Sequence, residues 1–262
     1  MTTRTPAPID IDELRVRVKD MYRAVAETPN ERFHFETGRG LAERLGYPPD
    51  LLDAIPDGAI ESFAGVGYFF DLADVRPAET VVDLGSGAGM DAFIAARLVG
   101  EHGSVVGIDM TDQQLAKARR LSSVGGITNV TFEHGSIDRL PFEDASVDVV
   151  ISNGVINLVS DKEAVFAETS RILRPGGRLA IADIVTEVPL IDEIVADVDL
   201  WASCIGGAPE QGSYKRAMAR TGLRVETTRS NPYQFLSEQA RNASDRFGVK
   251  SVSVLARRSG PR

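Results

Sequence analysis

The segment TVVDLGSGAGMDAF, residues 80–93, decides how this chain folds. Apolar and β-branched residues lead into Asp83, alternate glycines follow at Gly85, Gly87 and Gly89, and an apolar helical pattern begins at once. Glycine suits such a turn because its backbone adopts conformations that other residues resist and lets a ligand approach the main chain. The segment therefore predicts a strand, a ligand-binding turn and a helix, although the same glycines would also fit a tight turn without a ligand.

Strand and helix patterns alternate after this segment. The predicted strands are 80–84, 104–109, 130–133, 147–152, 178–183, 223–228 and 249–256. The predicted helices are 90–98, 111 onward, 160–173, 190–205 and 211–220, of which the second and third open with the capping-box sequences TDQQ (111–114) and SDKE (160–163). The alternation predicts a Rossmann-like α/β fold, with a seven-stranded, mostly parallel sheet and helices on both faces.

The chain before the first strand has a different pattern. Residues 10–26 place apolar side chains on one stripe of an amphipathic helix, and shorter helices are predicted at 40–45 and 49–55 among prolines and glycines. We expect residues 1–77 to form a helical cap, with the main domain at 78–262 and a substrate-covering insertion around 186–212.

Composition excludes several classes of partner. The 29 lysines and arginines are outnumbered by 38 aspartates and glutamates, which gives a formal net charge of −9. Such a charge argues against binding to nucleic acid or to an anionic membrane surface, because both need clustered basic residues. We therefore expect a small-molecule partner.

Cysteine content and apolar patterning bear on compartment and metal binding. Cys204 is the only cysteine, so neither an intramolecular disulfide nor an all-thiolate metal site is possible, and we expect no metal site. Met1–Pro8 lacks the apolar stretch of a signal peptide, and no run reaches the roughly 18 apolar residues of a membrane span. These features predict a cytoplasmic protein, and they leave its oligomeric state open.

An acidic residue ends the second predicted strand. Asp109 lies roughly 20 residues beyond the first glycine, where a carboxylate can accept hydrogen bonds from both hydroxyls of a ribose. It could instead be a charge favoured by the start of the next helix. The G-x-G-x-G spacing differs from the G-x-G-x-x-G of dinucleotide sites, and no Tyr-x-x-x-Lys pair is present, which disfavours a nicotinamide-dependent dehydrogenase.

From Leu45 onward the chain resembles the class I S-adenosylmethionine-dependent methyltransferases, and most closely the arsenite methyltransferase family. The resemblance lies in VVDLGSGAGMDAF (81–93), VGIDMT (106–111), VVISNGVINL (149–158) and RPGGRL (174–179). It implies S-adenosylmethionine as cofactor and S-adenosylhomocysteine as product. It also implies the following cofactor-binding residues: Asp83, Gly85, Ser86, Gly87 and Gly89 around the methionine end, Asp109 on the ribose, Met110, Ser136 and Ile137 around the adenine, and Asn153 near the sulfonium.

One departure from the family concerns the methyl acceptor. Gly154 stands where arsenite methyltransferases carry a cysteine, whereas Cys204 matches a second family cysteine. Trivalent arsenic is soft and its capture depends on several converging thiolates. The sequence therefore favours a small organic acceptor, and it leaves open an arsenite enzyme that uses Cys204 or a cofactor-binding module without catalysis.

Methyl transfer needs the acceptor held close to the methyl carbon, and a base only where the acceptor must lose a proton. The candidate catalytic residues are His34, Tyr22, Tyr68 and Cys204, with Asp183 as a further acceptor-side group. Each of them could instead have a structural role. Residues 62–70 combine glycines with aromatic residues and could form either an acceptor-covering cap or a connector under the sheet.

Overall fold

A computed structural model describes residues 10–29, 31, 33–202 and 204–260. Its strands are β1 Thr80–Leu84, β2 Ser104–Asp109, β3 Val130–His134, β4 Val147–Asn153, β5 Leu173–Val185, β6 Leu223–Ser230 and β7 Lys250–Arg258. The helices before β1 are α1 Ile11–Glu27, α2 Arg39–Leu45, α3 Pro49–Leu52, α4 Asp57–Glu61 and α5 Phe70–Ala73. Those after it are α6 Met90–Val99, α7 Asp112–Gly125, α8 Lys162–Ile172, α9 Asp192–Val195, α10 Val198–Ala202, α11 Gln211–Arg220 and α12 Glu238–Phe247, with a 3₁₀ turn at Ile156–Leu158.

The strands form one seven-stranded sheet in the order β3-β2-β1-β4-β5-β7-β6. The first five strands pair in parallel, whereas β7 lies antiparallel between β5 and β6. Successive residues of β1 enter different apolar cores: Val81 packs with α1 to α7, and Val82 packs with α8 and α11. The Rossmann-like fold predicted from the sequence is confirmed.

Both capping-box predictions are wrong in detail. Thr111 precedes α7, but its side chain makes no capping bond; its N–H donates instead to Asp109 (2.8 Å). Gln114 does not return to the start of the helix, because its amide donates to the carbonyl of Tyr22. At α8 the cap is Asp161, one residue later than predicted, and its carboxylate accepts the N–H of Ala164 at 2.9 Å.

Other boundaries differ where tertiary pairing overrides local sequence. Residues 174–177, between the predicted helix at 160–173 and the predicted strand at 178–183, belong to β5, which begins at Leu173 and contains an irregularity opposite Val147 and Val149. The helix predicted at 190–205 is two short helices, α9 and α10. Helices α4, α5 and α12 carried no prediction. No helix in the described part of the chain has the length and apolar character needed to cross a membrane.

A buried arginine fastens the N-terminal segment to the sheet. The Arg178 guanidinium on β5 donates to the carbonyls of Ala73 (2.7 Å) and Asp74 (3.0 Å) and to the Glu79 carboxylate (2.6 Å). Its side chain is only 7% exposed. The segment leading into β1 is therefore held by one buried cation. Residues 1–9 of the predicted cap lie outside the described residues, and the division of the chain at residue 77 remains a prediction.

We expect Arg178→Met to lower the free energy of unfolding by about 3 kcal/mol or more, because it removes a buried guanidinium that pairs with the Glu79 carboxylate and with the carbonyls of Ala73 and Asp74. Urea denaturation measures the loss. The matched control is Arg220→Met, whose partner Glu163 is exposed, so that its loss should be far smaller. Equal losses in the two variants would contradict the anchoring role of Arg178.

Candidate active site

A cavity of about 150 Å³ lies at the carboxyl ends of β1, β2 and β4. This is the edge at which open parallel sheets bind ligands. The cavity brings together nine of the ten predicted cofactor residues: Asp83, Gly85, Ser86, Gly87, Asp109, Met110, Ser136, Ile137 and Asn153. We call it the large cavity.

Gly89 is the exception, because it does not line the large cavity. It precedes α6 with a φ of +94°, and a Cβ atom there would lie 2.7 Å from Cζ of Phe132. The third glycine of the motif is therefore explained by helix entry and by packing under the loop.

The first two glycines place main chain against the large cavity. Gly85 has a φ of +70°, and a Cβ atom there would lie 2.3 Å from Cγ2 of Val155. Gly87 has a φ of +54° and donates its N–H to Oδ2 of Asp109 at 2.9 Å. The loop thereby joins the ends of β1 and β2.

Asp109 is held by backbone donors on both of its oxygens. Oδ1 accepts from the N–H of Thr111 (2.8 Å) and Oδ2 accepts from the N–H of Gly87 (2.9 Å). Burial raises the pKa of Asp109, and these hydrogen bonds oppose the rise. Each oxygen keeps a further lone pair, so the carboxylate can also accept hydroxyl donors from a ligand.

Two more carboxyl groups lie close by. Asp91 accepts from the Tyr47 hydroxyl (2.6 Å) and from Nδ2 of Asn153 (3.0 Å), and burial raises its pKa to about 6. Asp83 is 2% exposed, and its Oδ2 has no hydrogen-bond partner among the described residues. Its pKa is raised well above its ordinary value, first by burial and then by Asp91 and Asp109.

These features fit S-adenosylmethionine, which carries a sulfonium, an ammonium group and ribose hydroxyls. Buried acceptors without partners usually indicate a missing ligand or water. Asp83 Oδ2 supplies such an acceptor, and Ser86 Oγ is a second buried oxygen without a partner in the described chain. A cationic ligand would also relieve the electrostatic cost of the clustered acids.

Asn153 connects this site to the N-terminal segment. Its Oδ1 accepts from the N–H of Val66 (2.7 Å), and its Nδ2 lies 3.0 Å from the Tyr47 hydroxyl, the Gly67 carbonyl and Oδ2 of Asp91. Sequence reasoning missed Tyr47 because no local pattern marks it. Asp91 stood inside the matched motif and could have been singled out there.

A second cavity of about 10 Å³ lies behind the large one, and we call it the small pocket. Its lining is mostly aromatic and small: Tyr22, His34, Phe35, Ala64, Val66, Cys204, Tyr233, Phe235, Ser237 and Ala240. Tyr22 and Ala64 line both cavities and so form a shared wall. Three of the four candidate catalytic residues, Tyr22, His34 and Cys204, meet in this pocket.

Tyr68 and Asp183 lie elsewhere. Tyr68 lines neither cavity; its ring packs edge-on against Tyr47, with centroids 5.0 Å apart. Asp183 also lines neither cavity. It accepts from the Tyr214 hydroxyl (2.6 Å) and the N–H of Asn157 (3.0 Å), and burial raises its pKa to about 6. The structure therefore brings neither residue to the two cavities, and their role as acceptor-side groups stays a prediction.

Two titratable groups of the small pocket, the Cys204 thiol and the Tyr22 hydroxyl, have raised pKa values. Burial raises the pKa of the Cys204 thiol to about 12, although hydrogen bonds to the side chains of Asn157 and Tyr22 oppose the rise. The pKa of Tyr22 is raised well above its ordinary value, first by burial and then by Cys204. At neutral pH both groups keep their protons and act as hydrogen-bond donors rather than bases.

Gly154 lies beside this pocket without lining it. Its φ is +71°, a conformation that side-chain-bearing residues resist, and a Cβ atom there would lie 3.3 Å from Cγ1 of Val66. A side chain at position 154 would therefore point towards a wall residue of the small pocket. Among the described residues no group of three or more His, Cys, Asp or Glu side chains could hold a metal ion.

Comparisons with known proteins identify methyltransferases as relatives, in agreement with a site that fits S-adenosylmethionine. A family model described as a methyltransferase domain matches residues 76–222. An arsenite methyltransferase from Halobacterium salinarum is 44% identical over 188 residues, which are 72% of this chain and 48% of that protein. A ubiquinone/menaquinone biosynthesis C-methyltransferase from Citrobacter koseri is 31% identical over 187 residues, 71% of this chain and 68% of that protein.

A solved structure is also similar. The crystal structure of an arsenic(III) S-adenosylmethionine methyltransferase from Chlamydomonas reinhardtii superposes with a TM-score of 0.64 at 30% identity, covering 85% of this chain and 74% of that one. The chain spans less than half of the length of three curated arsenite methyltransferases that it matches, namely 48%, 43% and 36%.

We expect Asp109→Ala to weaken the binding of S-adenosylhomocysteine at least about tenfold, because two ribose hydroxyls lose a charged acceptor. Isothermal calorimetry measures the dissociation constant. Asp112→Ala is the matched control, since Asp112 is an exposed acid in the first turn of α7. Unchanged affinity in Asp109→Ala would remove Asp109 from the site, and no binding by the unmodified protein would remove the cofactor.

Proposed function

This chain belongs to the class I S-adenosylmethionine-dependent methyltransferases, and from that membership we propose that it methylates a small, uncharged acceptor whose reacting group enters the small pocket. The pocket's volume of about 10 Å³ admits only a group of about the size of a water molecule. One observation carries the proposal: the small pocket shares Tyr22 and Ala64 with the large cavity, so that an acceptor there adjoins the cofactor site. Among the described residues, its lining contains no aspartate, glutamate, lysine or arginine. Such a lining favours an acceptor without charge, because a buried charge needs a partner.

The residues of the large cavity have separate tasks in this proposal. Bound S-adenosylmethionine supplies a methyl carbon attached to a positively charged sulfur. Asp109 holds the ribose, Asp83 and Ser86 accept hydrogen bonds around the methionine end, and the Gly85–Gly87 main chain supports it. Asn153 binds both Asp91, in the first turn of α6, and the Val66 N–H, and so sets the distance between cofactor and acceptor. Positioning of this kind supplies much of the rate enhancement in a direct displacement.

The acceptor side excludes water and orients the nucleophile. Ala64 and the ring of Tyr22 form the wall, and the Tyr22 ring stacks on Phe35 with centroids 6.1 Å apart. Since Tyr22 and Cys204 keep their protons, neither removes a proton from the acceptor. An acceptor that must be deprotonated would depend on His34, the remaining candidate base in the lining. An acceptor with a free lone pair needs no base.

Arsenite is the second candidate acceptor. The relatives named as arsenite methyltransferases and the presence of Cys204 in the small pocket favour it. Gly154 counts against it, because one thiol cannot surround a trivalent arsenic centre that prefers several thiolates. A module that binds the cofactor without catalysis is the remaining alternative, and the pocket shared with the cofactor site argues against it.

The remaining assignments belong to the same proposal. We assign residues 10–77 and 186–212 to covering the acceptor, since Leu14, Val18 and Tyr22 line the large cavity and Cys204 lines the small pocket. A cytoplasmic location and the absence of a nucleic-acid partner are proposed from the single cysteine and the net charge of −9.

Filling the small pocket should stop methyl transfer without affecting the cofactor. We expect Ala240→Leu to lower turnover at least about a hundredfold, because the added atoms occupy the volume of the acceptor's reacting group. S-adenosylhomocysteine affinity should stay within about twofold. Turnover is measured as release of S-adenosylhomocysteine with a panel of uncharged thiols, phenols and trivalent arsenicals.

Gln239→Leu is the control for this variant, since Gln239 is the exposed neighbour on α12. Its turnover should equal that of the unmodified protein. Unchanged turnover in Ala240→Leu would place the acceptor outside the small pocket. A panel without any productive acceptor would favour the non-catalytic module.

An assay with arsenite and glutathione distinguishes an organic acceptor from arsenite. We expect the rate with arsenite to be less than about a tenth of the rate with the best organic acceptor, because a single protonated thiol binds trivalent arsenic weakly. Methylated arsenic is measured by mass spectrometry. A faster rate with arsenite that disappears in Cys204→Ser would overturn the organic-acceptor proposal in favour of a one-thiol arsenite enzyme.

A further inference from the structure

Val66 is the only branched aliphatic side chain among the described residues that line the small pocket. It lies in the segment 62–70, where the sequence combines glycines with aromatic residues, and it is 1% exposed. Its neighbours in the chain are Gly65 and Gly67, so this stretch presents a single side chain to its surroundings.

Both glycines lie too close to the sheet to carry a side chain. A Cβ atom at position 65 would lie 2.6 Å from Nδ2 of Asn153, and one at position 67 would lie 2.9 Å from Cβ of Ala182. Glycine permits such a close approach of the main chain to neighbouring groups. The main chain of residues 65–67 therefore packs directly against β4 and β5.

Hydrogen bonds fix the main chain of Val66 from two sides. Its N–H donates to Oδ1 of Asn153 at 2.7 Å, and its carbonyl accepts from the hydroxyl of Ser251 at 2.6 Å. A shift of this residue would leave buried polar groups unpaired. Because a β-branched side chain also has few rotamers, the two γ-methyl groups of Val66 keep one position in the pocket wall.

Val66 lies at the boundary between the two cavities. Its hydrogen-bond partner Asn153 lines the large cavity, whereas Val66 itself lines the small pocket. A Cβ atom at Gly154, the residue after Asn153, would lie 3.3 Å from Cγ1 of Val66. The valine methyl groups thus occupy the space that a side chain at position 154 would need.

We propose that Val66 is a specificity-determining residue of the acceptor site, and that its fixed methyl groups restrict the acceptor to an unhindered reacting atom. The inference rests on the proposed function, because it places that atom in the small pocket. The pocket admits a group of about the size of a water molecule, so branching beside the reacting atom brings carbon atoms against Val66. A wall that cannot yield rejects such acceptors by steric clash.

The acceptors that satisfy this limit are thiols and phenols without carbon substituents around the reacting atom, such as methanethiol and phenol. Their hindered counterparts, 2-propanethiol and 2,6-dimethylphenol, have the same reacting atom but carry additional methyl groups beside it. The two members of each pair therefore differ mainly in the space that they need next to Val66.

Methyl transfer to these four acceptors is measured as release of S-adenosylhomocysteine. In the unmodified protein we expect kcat/KM to be at least about a hundredfold higher for the unhindered member of a pair. In Val66→Ala, which removes both γ-methyl groups, that ratio should fall at least about tenfold. Val165→Ala is the control and should keep the ratio of the unmodified protein, since Val165 is similarly buried in α8 but lines neither cavity.

A purely structural role of Val66 would lower the rates with both members of a pair alike, so an unchanged ratio in Val66→Ala would overturn the proposal. Should Val66→Ala fail to fold, Val66→Ile decides. Its added methyl group should lower kcat/KM for methanethiol and phenol at least about tenfold, while the affinity for S-adenosylhomocysteine stays within about twofold. Undiminished turnover in Val66→Ile would equally overturn the proposal.

Xenon binding tests the pocket wall without any methyl transfer. In crystals under xenon pressure we expect a xenon atom in the small pocket of Val66→Ala, and none there in the unmodified protein or in Val165→Ala, because apolar cavities of sufficient size bind xenon. Absence of xenon from Val66→Ala would show that the wall collapses and would overturn the proposal. Failure of the unmodified protein to methylate all four acceptors would instead refute the proposed function, and the xenon result would still decide on Val66.

Discussion

The side chain of Asn153 is the contact on which the site depends. One amide at the end of β4 accepts the N–H of Val66 and donates towards the Gly67 carbonyl, the Tyr47 hydroxyl and the Asp91 carboxylate. It thereby joins the sheet, the first turn of α6 and the N-terminal segment. A fully paired polar network in a low-dielectric interior fixes one arrangement, because any displacement leaves a buried polar group unpaired.

The buried acids around the large cavity lower the stability of the fold, and a bound ligand can offset that cost. Asp83, Asp91 and Asp109 are all buried enough for their pKa values to be raised. Only Asp83 keeps an oxygen without a partner in the described chain, whereas Asp91 and Asp109 accept hydrogen bonds from neighbouring residues. A cationic ligand supplies the missing counter-charge. This arrangement is typical of a preorganised site, whose electrostatic cost is met by the ligand.

Sequence reasoning captured what depends on local pattern. The five parallel strands follow β-branched runs, and the glycine loop and Asp109 follow from their spacing. It failed where other groups compete with the predicted cap: Asp109 accepts the Thr111 N–H that the Gln114 side chain would accept in a capping box, and Gln114 donates to the carbonyl of Tyr22 instead of returning to its own helix.

The acceptor side was harder to predict for a similar reason. The small pocket combines residues from α1, the segment after α10 and α12, which are far apart in the sequence. Tyr22, His34 and Cys204 were each identified singly, but no sequence pattern indicated that they meet, and Tyr68, the fourth candidate, lines neither cavity. Contacts of this kind emerge only from the packed fold.

The position of β7 has a consequence for the order in which the protein assembles. Two serine hydroxyls on this strand reach back to the N-terminal segment: Ser251 donates to the Val66 carbonyl (2.6 Å) and Ser253 to the Tyr68 carbonyl (2.8 Å). Those partners are 185 residues away along the chain. On the ribosome, β1 to β5 emerge before β7 exists, so these two hydrogen bonds can form only after almost the whole chain has been made, whereas the Val66 N–H can already pair with Asn153 on β4. The last contacts of the segment around Val66, a lining residue of the small pocket, therefore form late in synthesis.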